Sequence, residues 1–393
     1  MKRIALAVLA YALAFSALAA PIDVSRVHGT KIFHQLEASG RKNIAVSGDV
    51  IGVVWNDNRG GLSQTYVAFK KRGDGRFGRD IKLSAGKEAI EAGIVALDAG
   101  RFAAAWEQDR QVYASIIGLG GAQKLSALGA PQSRQVALAY GENRLYAAWI
   151  EQAGRFGRLV VAELLAGATD IRVSRKLILE NAPPRDEQLY PTLTLSAGGL
   201  SVLWEDRRGG YTGIYMSHSG DLKTFTPPRQ LNEMSAGAGR AAGLGRGSGA
   251  MRPALGTMAG KNIAAVWSDK RDFLSGYDVY GALSSDGGAR FGPNQKIQDS
   301  FGDNMAQWHP AIAANAKKLA VAFDDERDGT ADIWLAWQTS EGWSDNIAVP
   351  GASGPGVQSS PAITLDEQGA LHLVWIDRPS DGAASRVRYT VVK

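Results

Sequence analysis

The chain contains no cysteine among its 393 residues. Disulfide bonds, thiolate metal ligands and lipid attachment through an N-terminal cysteine are therefore excluded. Any metal would have to bind the five histidines and the carboxylates. We expect neither a metal nor a cofactor, because no metal-binding histidine pair, phosphate-binding loop or dinucleotide fingerprint occurs in the sequence.

An excess of charge of one sign is also missing. The formal net charge is +5, from 44 basic and 39 acidic residues, and no block of five or more like charges occurs. Nucleic-acid-binding proteins usually carry a basic patch or a basic run. The composition therefore predicts a surface of mixed sign and gives no indication of a nucleic-acid partner.

Long apolar runs are absent after the first twenty residues, so we expect no membrane span. At the N-terminus, two basic residues precede an apolar stretch at 4–15, and Ala17-Leu18-Ala19 offers a small-residue cleavage site. This pattern predicts a signal peptide of residues 1–19, cleaved near Ala19, with an uncleaved anchor as the alternative. We therefore expect a periplasmic or extracellular protein with a single domain over 20–393.

What the sequence does contain is a repeat. Seven short apolar runs each end in an aromatic residue that is followed by acidic and basic residues, at steps of 43 to 63 residues. The aromatic residues are Trp55, Trp106, Trp149, Trp204, Trp267, Phe323 and Trp375. Periods of roughly 40–50 residues are typical of propeller blades and solenoids.

Each repeat divides into four short strand-like runs separated by turn residues. The fourth repeat is the clearest, with strands predicted at 191–195, 200–204, 213–217 and 229–231. Because four antiparallel strands repeated radially make a propeller, the sequence predicts an all-β, seven-bladed β-propeller. A six-bladed ring with an irregular segment is the alternative, since the second and third repeats are degenerate.

The seventh repeat lacks a fourth strand, because the sequence ends in its third, at 391–393. The segment 29–34 precedes the first strand of blade one. We expect this segment to lie beside the C-terminal strands and to close the ring, which would remove an exposed sheet edge.

Two motifs carry a family resemblance. Residues 284–291 fit the Asp-box pattern Ser-x-Asp-x-Gly-x-x-aromatic, and an aromatic-x-Asp-x-Arg motif follows several second strands. The second motif reads 55–59, 267–271 and 323–327, with a related sequence at 204–208. Together they resemble the sialidase-like propellers with BNR, or Asp-box, repeats. The resemblance implies a propeller fold and glycan hydrolysis or ligand recognition, since such repeats occur in hydrolases and in binding proteins.

The sialidases of this family resemble one another in using three arginines, one of them in a Phe/Tyr-Arg-Ile-Pro motif, to hold the sialate carboxylate. They also use a tyrosine nucleophile activated by a glutamate, and an aspartate as acid/base. No Phe/Tyr-Arg-Ile-Pro occurs in this sequence. No catalytic residue can therefore be assigned by resemblance.

The blade geometry predicts where a ligand site would lie. Loops after the second and fourth strands of a blade emerge on one face, and Asp-box hairpins emerge on the other. Several first strands begin with a residue followed by proline, which places Tyr190, Arg252 and His309 near one mouth of the channel, with Trp308 alongside. The simpler explanation of these pairs is that an extended backbone is favoured before proline. The other candidate ligand-binding residues lie in the loops after the second strands and are Asp206, Arg207, Asp269, Arg271, Asp325 and Arg327.

These observations favour an exported recognition propeller that binds a glycan, peptide or protein partner on its channel face. The alternative is a carbohydrate-active enzyme, either a divergent exo-sialidase-like glycoside hydrolase or a uronate lyase. In the lyase, a tyrosine or histidine would act as base while an arginine neutralises the carboxylate. The missing arginine motif favours the first hypothesis, whereas a tyrosine–glutamate cluster with several arginines would favour the second.

Overall fold

The computed structural model describes residues 20–37, 40–98, 100–122, 124–233, 249–271, 276–299, 305–380 and 384–392. These residues form the strands β1 to β31, and no helix occurs among them. The described part of the chain accordingly holds no helix long and apolar enough to span a membrane. The expected signal peptide, residues 1–19, lies outside the described residues.

The strands form seven antiparallel sheets, which follow one another in chain order. Blade 1 contains β2 (His34–Gln35), β3 (Ile44–Ser47), β4 (Val50–Gly60), β5 (Leu62–Lys71) and β6 (Ile81–Lys82); blade 2 contains β7 (Ala89–Ala96), β8 (Arg101–Gln108), β9 (Gln111–Gly118), β10 (Gly121–Ala122) and β11 (Ser126–Ala127); blade 3 contains β12 (Ser133–Gly141), β13 (Arg144–Ala153), β14 (Phe156–Ala166) and β15 (Ile171–Leu177).

The remaining sheets repeat this arrangement. Blade 4 contains β16 (Gln188–Ser196), β17 (Gly199–Asp206), β18 (Gly213–Ser219) and β19 (Arg229–Gln230); blade 5 contains β20 (Ala250–Thr257), β21 (Ile263–Asp269), β22 (Asp278–Ser284) and β23 (Gln295–Lys296); blade 6 contains β24 (Gln307–Ala314), β25 (Leu319–Asp325), β26 (Asp332–Thr339), β27 (Gly342–Trp343) and β28 (Ile347–Ala348); blade 7 contains β29 (Val357–Leu365), β30 (Leu371–Arg378), β31 (Arg386–Val392) and β1 (Ile22–Asp23). The seven-bladed prediction is confirmed, and the six-bladed alternative is wrong.

The repeated aromatic residue of each second strand holds neighbouring blades together. All seven of these side chains are fully buried. Each packs in a cluster that also contains residues of the preceding blade, as Trp106 does with Val54 and Phe69, and Trp55 with Tyr389 across the ring closure. Buried aromatic side chains contribute large apolar contact areas, which explains why the aromatic position marks every blade.

The ring is closed by an N-terminal strand, but not by the predicted one. Ile22 and Asp23 pair with Tyr389 and Arg388 and form the fourth strand of blade 7. We expected segment 29–34 to be the closing strand, and this expectation is corrected: its last residue, His34, pairs with Asp57 in blade 1 instead. The prediction failed because a strand of two residues carries no alternation of polar and apolar positions that a sequence pattern can detect.

A β-bulge interrupts the innermost strand of blades 2 to 7, at the end nearest the loops that follow the second strands. Each bulge begins with a residue other than glycine at a φ of +46° to +59°. These residues are Glu91, Gln135, Tyr190, Arg252, His309 and Ser360. A left-handed conformation costs an L-residue about 1–2 kcal/mol, so six neighbouring blades carry the same local strain. The residues before proline are therefore not in the extended conformation that the simpler explanation assumed.

Candidate functional site at the channel mouth

The bulges place six side chains around one mouth of the central channel. In blade 1 the chain just before β3 occupies the same mouth, where Arg41 lies 3.0 Å from Glu91 of blade 2 and 5.3 Å from the ring centroid of Tyr190 of blade 4. We call these seven the mouth residues: Arg41, Glu91, Gln135, Tyr190, Arg252, His309 and Ser360. Strained backbone is often found at ligand sites, where it aims side chains at a common point.

Tyr190 is in contact with two guanidinium groups. The Cζ atom of Arg252 is 3.8 Å from the centroid of the tyrosine ring, and that of Arg41 is 5.3 Å away. The Tyr190 amide donates to Oε1 of Gln135 at 2.9 Å, which fixes the bulge. Burial raises the pKa of Tyr190, although the charge of Arg252 opposes the shift. The phenol is therefore held protonated at neutral pH.

Arg252 keeps its side-chain donors available. Its backbone amide donates to Oε1 of buried Glu205 at 2.8 Å. Its guanidinium stacks on Tyr190, and no residue in the described ranges accepts a hydrogen bond from it or forms an ion pair with it. Cation–π contact leaves the N–H edge of a guanidinium free for a planar, bidentate acceptor.

Carboxyl groups line the same mouth. The pKa of Glu37 is raised to about 7 by burial and by the nearby charge of Glu91. Burial and Glu91 likewise raise the pKa of Glu107 to about 7, and burial raises that of Glu205. Two of these groups are thus partly protonated near neutral pH, which reduces the negative charge beside Arg41.

An aromatic pair lies on the blade 5 and blade 6 side. The rings of Tyr277 and Trp308 are 4.4 Å apart between centroids and tilted by 37°. The neighbouring His309 has its Nδ1 atom 2.9 Å from Oδ1 of Asp324, and its side chain is 38% exposed. An exposed edge of paired aromatic rings offers an apolar surface next to polar groups, as ligand sites commonly do.

The aromatic-x-Asp-x-Arg motif forms a buried clamp. In blade 5, Oδ2 of Asp269 accepts hydrogen bonds from Nε1 of Trp267 at 2.8 Å and from Nη2 of Arg271 at 2.8 Å. The Arg271 guanidinium also stacks on Tyr280 at 3.8 Å. Asp269 thus accepts from both partners within the blade, so the motif is explained by folding.

The same arrangement accounts for most of the predicted loop residues. Asp325 pairs with Arg327 at 2.7 Å. Asp206 accepts from Nε1 of Trp204 at 2.9 Å and from Arg208, rather than Arg207, at 2.7 Å. Arg207 instead lies near Glu205; burial raises the pKa of that carboxyl, and the charge of Arg207 opposes the rise. The structure therefore gathers Tyr190 and Arg252 into the mouth and places the aspartates in clamps.

Several groups at the mouth were not among the sequence candidates, including Glu37, Arg41, Glu91, Glu107 and Glu205. Two signals were present in the sequence. The mouth residues stand 14 or 15 positions before the aromatic residue of their blade, as Arg41 stands before Trp55 and Glu91 before Trp106. Glu107 and Glu205 each come directly after that aromatic residue.

The Asp-box hairpin lies on the opposite face, after β22. Its Asp286 accepts hydrogen bonds from the Ser284 hydroxyl at 2.9 Å and the Arg290 amide at 2.8 Å. These bonds close the turn, so folding explains this motif as well. In the part of the chain that the structure covers, no group of three or more histidines and carboxylates is placed to hold a metal ion.

The fold and this mouth define a β-propeller with an arginine-containing, carboxyl-lined channel entrance. No family model matches the chain, and no curated protein does. Solved structures do match over 96% of this chain and 98% of theirs. They include the polysaccharide lyase Uly1 (TM-score 0.56, 8% identity), an α-L-arabinanase of Penicillium chrysogenum complexed with arabinobiose (0.54, 11%) and the α-L-arabinofuranosidase Arb93A of Fusarium graminearum with an iminosugar inhibitor (0.53, 10%). At these identities the likeness shows a shared propeller fold alone, and that fold is the one implied by the resemblance to sialidase-like propellers.

Proposed function

We propose that this protein is an exported recognition propeller that binds an acidic glycan at the channel mouth. The observation that carries the proposal is the free guanidinium edge of Arg252, held in place by its stack on Tyr190 at 3.8 Å. A sugar carboxylate is planar and matches the two parallel donors of such an edge.

Arg41 supplies a second cation across the channel. Its Nη2 atom is buried and has no hydrogen-bond partner among the described residues. A buried donor without an acceptor costs roughly 1–3 kcal/mol, which a ligand oxygen would recover. Arg252 and Arg41 both lie against the ring of Tyr190, so two guanidinium groups lie near the place where the anionic group would bind.

The aromatic pair extends the site. Tyr277 and Trp308 lie on the same face, and the negative charge of Glu205 acts on both Tyr190 and Tyr277. Sugar rings present C–H faces that pack on aromatic side chains, while their hydroxyls need polar partners such as His309 and Asp324. A glycan longer than one residue would span from Arg252 to Trp308.

Binding can be measured by calorimetric titration of the purified protein with sialyllactose, an oligoglucuronate and neutral lactose. We expect the acidic glycans to bind and lactose to bind at least ~10-fold more weakly, since a charge-assisted bidentate pair contributes about 1.5–3 kcal/mol. Arg252→Ala should abolish this preference. Arg252→Lys should also weaken binding, because an ammonium lacks the planar fork.

Arg271→Lys is the matched control. Arg271 stacks on Tyr280 at the same 3.8 Å but is already paired with Asp269. It should change thermal stability and leave glycan affinity unaltered. Equal binding of lactose and the acidic glycans would contradict the proposal, as would an unchanged affinity in Arg252→Ala.

A carbohydrate-active enzyme is the second candidate, and one observation favours it. Burial and Glu91 raise the pKa of Glu107 to about 7, the range in which a carboxylic acid serves as general acid at neutral pH. Tyr190, in contrast, has a raised pKa and is not activated as a nucleophile. The enzyme hypothesis therefore assigns proton donation to Glu107 and carboxylate binding to Arg252.

Fluorophore release from a generic sialoside tests the hydrolase, and formation of an unsaturated uronate tests the lyase. Turnover that is lost in both Glu107→Gln and Arg252→Ala would establish an enzyme. Binding of acidic glycans without turnover of either substrate would leave the recognition propeller as the function.

A further inference from the structure

A cavity of about 710 Å³ opens between blades 7 and 1 on the face opposite the channel mouth. It lies where β5 and β31 end and where β4 and β30 begin. Its wall is mostly apolar, and Ile22, Ile51 and Val391 contribute to it. Volumes of roughly 300–1,000 Å³ with an apolar lining and a few convergent polar groups are typical of small-molecule sites.

The polar part of the cavity is a hydrogen-bonded chain. Oη of Tyr389 lies 2.7 Å from Nδ1 of His372, and Nε2 of His372 lies 3.2 Å from Oδ2 of Asp366. Nη1 of Arg72 donates to the same Asp366 oxygen at 2.8 Å. Tyr389, His372 and Asp366 are all buried. This chain of hydrogen bonds therefore runs from the interior of blade 7 to the rim of the cavity.

These polar residues depart from the repeat. His372 stands three residues before the blade aromatic, where five of the other six blades have glycine, alanine or serine. Tyr389 pairs with Val374, and the residues in its position elsewhere are Val67, Ala114, Val161, Met216, Gly281 and Leu335. No other blade has an imidazole at the position of His372 or a hydroxyl at the position of Tyr389, so blade folding does not require these groups there.

The rim is cationic. The side chain of Arg72 is 37% exposed, and only its Nη1 atom donates, to Asp366 and Gln368. The Nε and Nη2 atoms of this side chain have no acceptor among the described residues. Lys318 and Lys70 also line the cavity. Burial lowers the pKa of Lys70, as expected for an ammonium next to apolar surface.

We propose that this cavity binds a small amphiphilic anion, with a carboxylate or phosphate at Arg72 and Lys318 and an apolar body against Ile22, Ile51 and Val391. The hydroxyl of Tyr389 donates to Nδ1 of His372, since Nε2 of that ring donates to the Asp366 carboxylate, and the Tyr389 oxygen can therefore accept a hydrogen bond from a ligand atom deep in the cavity. The site is independent of the channel mouth, since the two lie at opposite ends of the strands.

Titration calorimetry with hexanoate, hexyl phosphate and hexanol tests the proposal. At least one of the two anions should bind saturably, and hexanol should bind at least ~10-fold more weakly, because it lacks the charge that pairs with Arg72. Arg72→Gln should lower the anion affinity by at least ~10-fold for the same reason. Comparison of the two anions tells a carboxylate site from a phosphate site.

Arg101→Gln is the matched control. Arg101 lies on the same face, is 40% exposed and is paired with Asp98 at 2.7 Å, as Arg72 is with Asp366, but it does not line this cavity. The Arg101→Gln variant should bind the anions with the same affinity as the parent protein. Tyr389→Phe removes the oxygen that holds His372 and, through it, the Asp366 partner of Arg72, so it should weaken anion binding while the protein stays folded.

Absence of saturable binding by either anion would overturn the proposal and leave the Tyr389–His372–Asp366 chain a purely structural element of blade 7. Equal binding of hexanol, or equal loss in Arg72→Gln and Arg101→Gln, would overturn it as well. Binding of acidic glycans at the mouth is measured separately, and its failure would not affect this result.

Discussion

The guanidinium of Arg252 stacks on the ring of Tyr190 at 3.8 Å, although the two residues start the innermost strands of neighbouring blades. Both occupy the first position of a bulge with left-handed φ, of +57° and +46°. The repeated bulge thus turns two equivalent side chains toward each other across a blade boundary. The pair, rather than either residue alone, presents the arginine donors to the channel.

The first prediction concerns the contact between Arg252 and Tyr190. Tyr190→Leu should lower acidic-glycan affinity by about 3- to 30-fold, because a cation–π contact of 0.5–2 kcal/mol orients Arg252. Tyr190→Phe keeps the ring and should stay within about 3-fold of the parent. Titration calorimetry separates the two, and a large loss in Tyr190→Phe would show that the hydroxyl, rather than the ring, carries the effect.

The buried clamp predicts a stability effect without a binding effect. Asp269→Ala leaves the indole of Trp267 and the guanidinium of Arg271 without their acceptor, and should lower the free energy of unfolding by about 2–4 kcal/mol. Urea denaturation followed by tryptophan fluorescence measures the change. Asp98→Ala removes an exposed partner of Arg101 whose charge is screened by solvent, and should lower the free energy of unfolding much less than Asp269→Ala does.

The bulge predicts a gain on substitution by glycine. Ser360 has a φ of +54°, so Ser360→Gly relieves the steric cost of a side chain there and should stabilise the protein by up to about 1 kcal/mol. Ser359→Gly, one residue earlier in the regular part of β29, should instead destabilise by roughly 0.5–1 kcal/mol. Thermal unfolding should show a Tm above that of the parent for Ser360→Gly and below it for Ser359→Gly.

The mouth carboxyls predict a pH dependence. Burial and Glu91 raise the pKa of Glu107 from 4.5 to about 7, so the unfolded chain releases this proton at lower pH than the folded one. Stability contributed by the group therefore falls as the pH rises from 4.5 through about 7. Glu107→Gln should gain stability relative to the parent above about pH 7 and lose that advantage near pH 4. Urea titrations at the two pH values measure this, and a pH-independent difference would argue against a raised pKa.

The ring closure predicts sensitivity at the N-terminus. Val24 is fully buried among residues of blades 7 and 1, and Asp23 accepts a hydrogen bond from Arg388 at 2.7 Å. Val24→Asp should detach β1 and expose the edge of β31, which invites pairing between molecules. Size-exclusion chromatography should show oligomers in this variant. His28→Ala, at a partly exposed neighbouring position, should remain like the parent.

Much of the fold was predictable because the aromatic position repeats. Six tryptophans and Phe323 mark the seven blades, and burial of each ring against the preceding blade favours a large aromatic residue. The closing strand was not predictable, since Ile22 and Asp23 are too few to show a period. Pairing with Tyr389 depends on the ring having already brought distant residues together.

The site was predicted in part. Tyr190 and Arg252 were found from their place before proline, whereas Arg41 is followed by lysine and shares with them only its distance from the blade aromatic, Trp55. Asp269 and Arg271 were chosen from the motif, but their partners Trp267 and Tyr280 lie in the same blade, and only the geometry shows that the charges are satisfied there. A motif identifies charged residues without telling which of them are already paired.

The pairing of Ile22 with Tyr389 also sets the order in which the protein can be completed. The inner three strands of blade 7 are translated last, whereas its outer strand is translated first. During synthesis, β1 therefore has no partner until β31 has been made, and contacts of such long sequence separation form slowly. Blades 1 to 6 can form in sequence as they are made, yet the ring stays open until β31 is available, so the closed propeller forms only after all seven blades have been made.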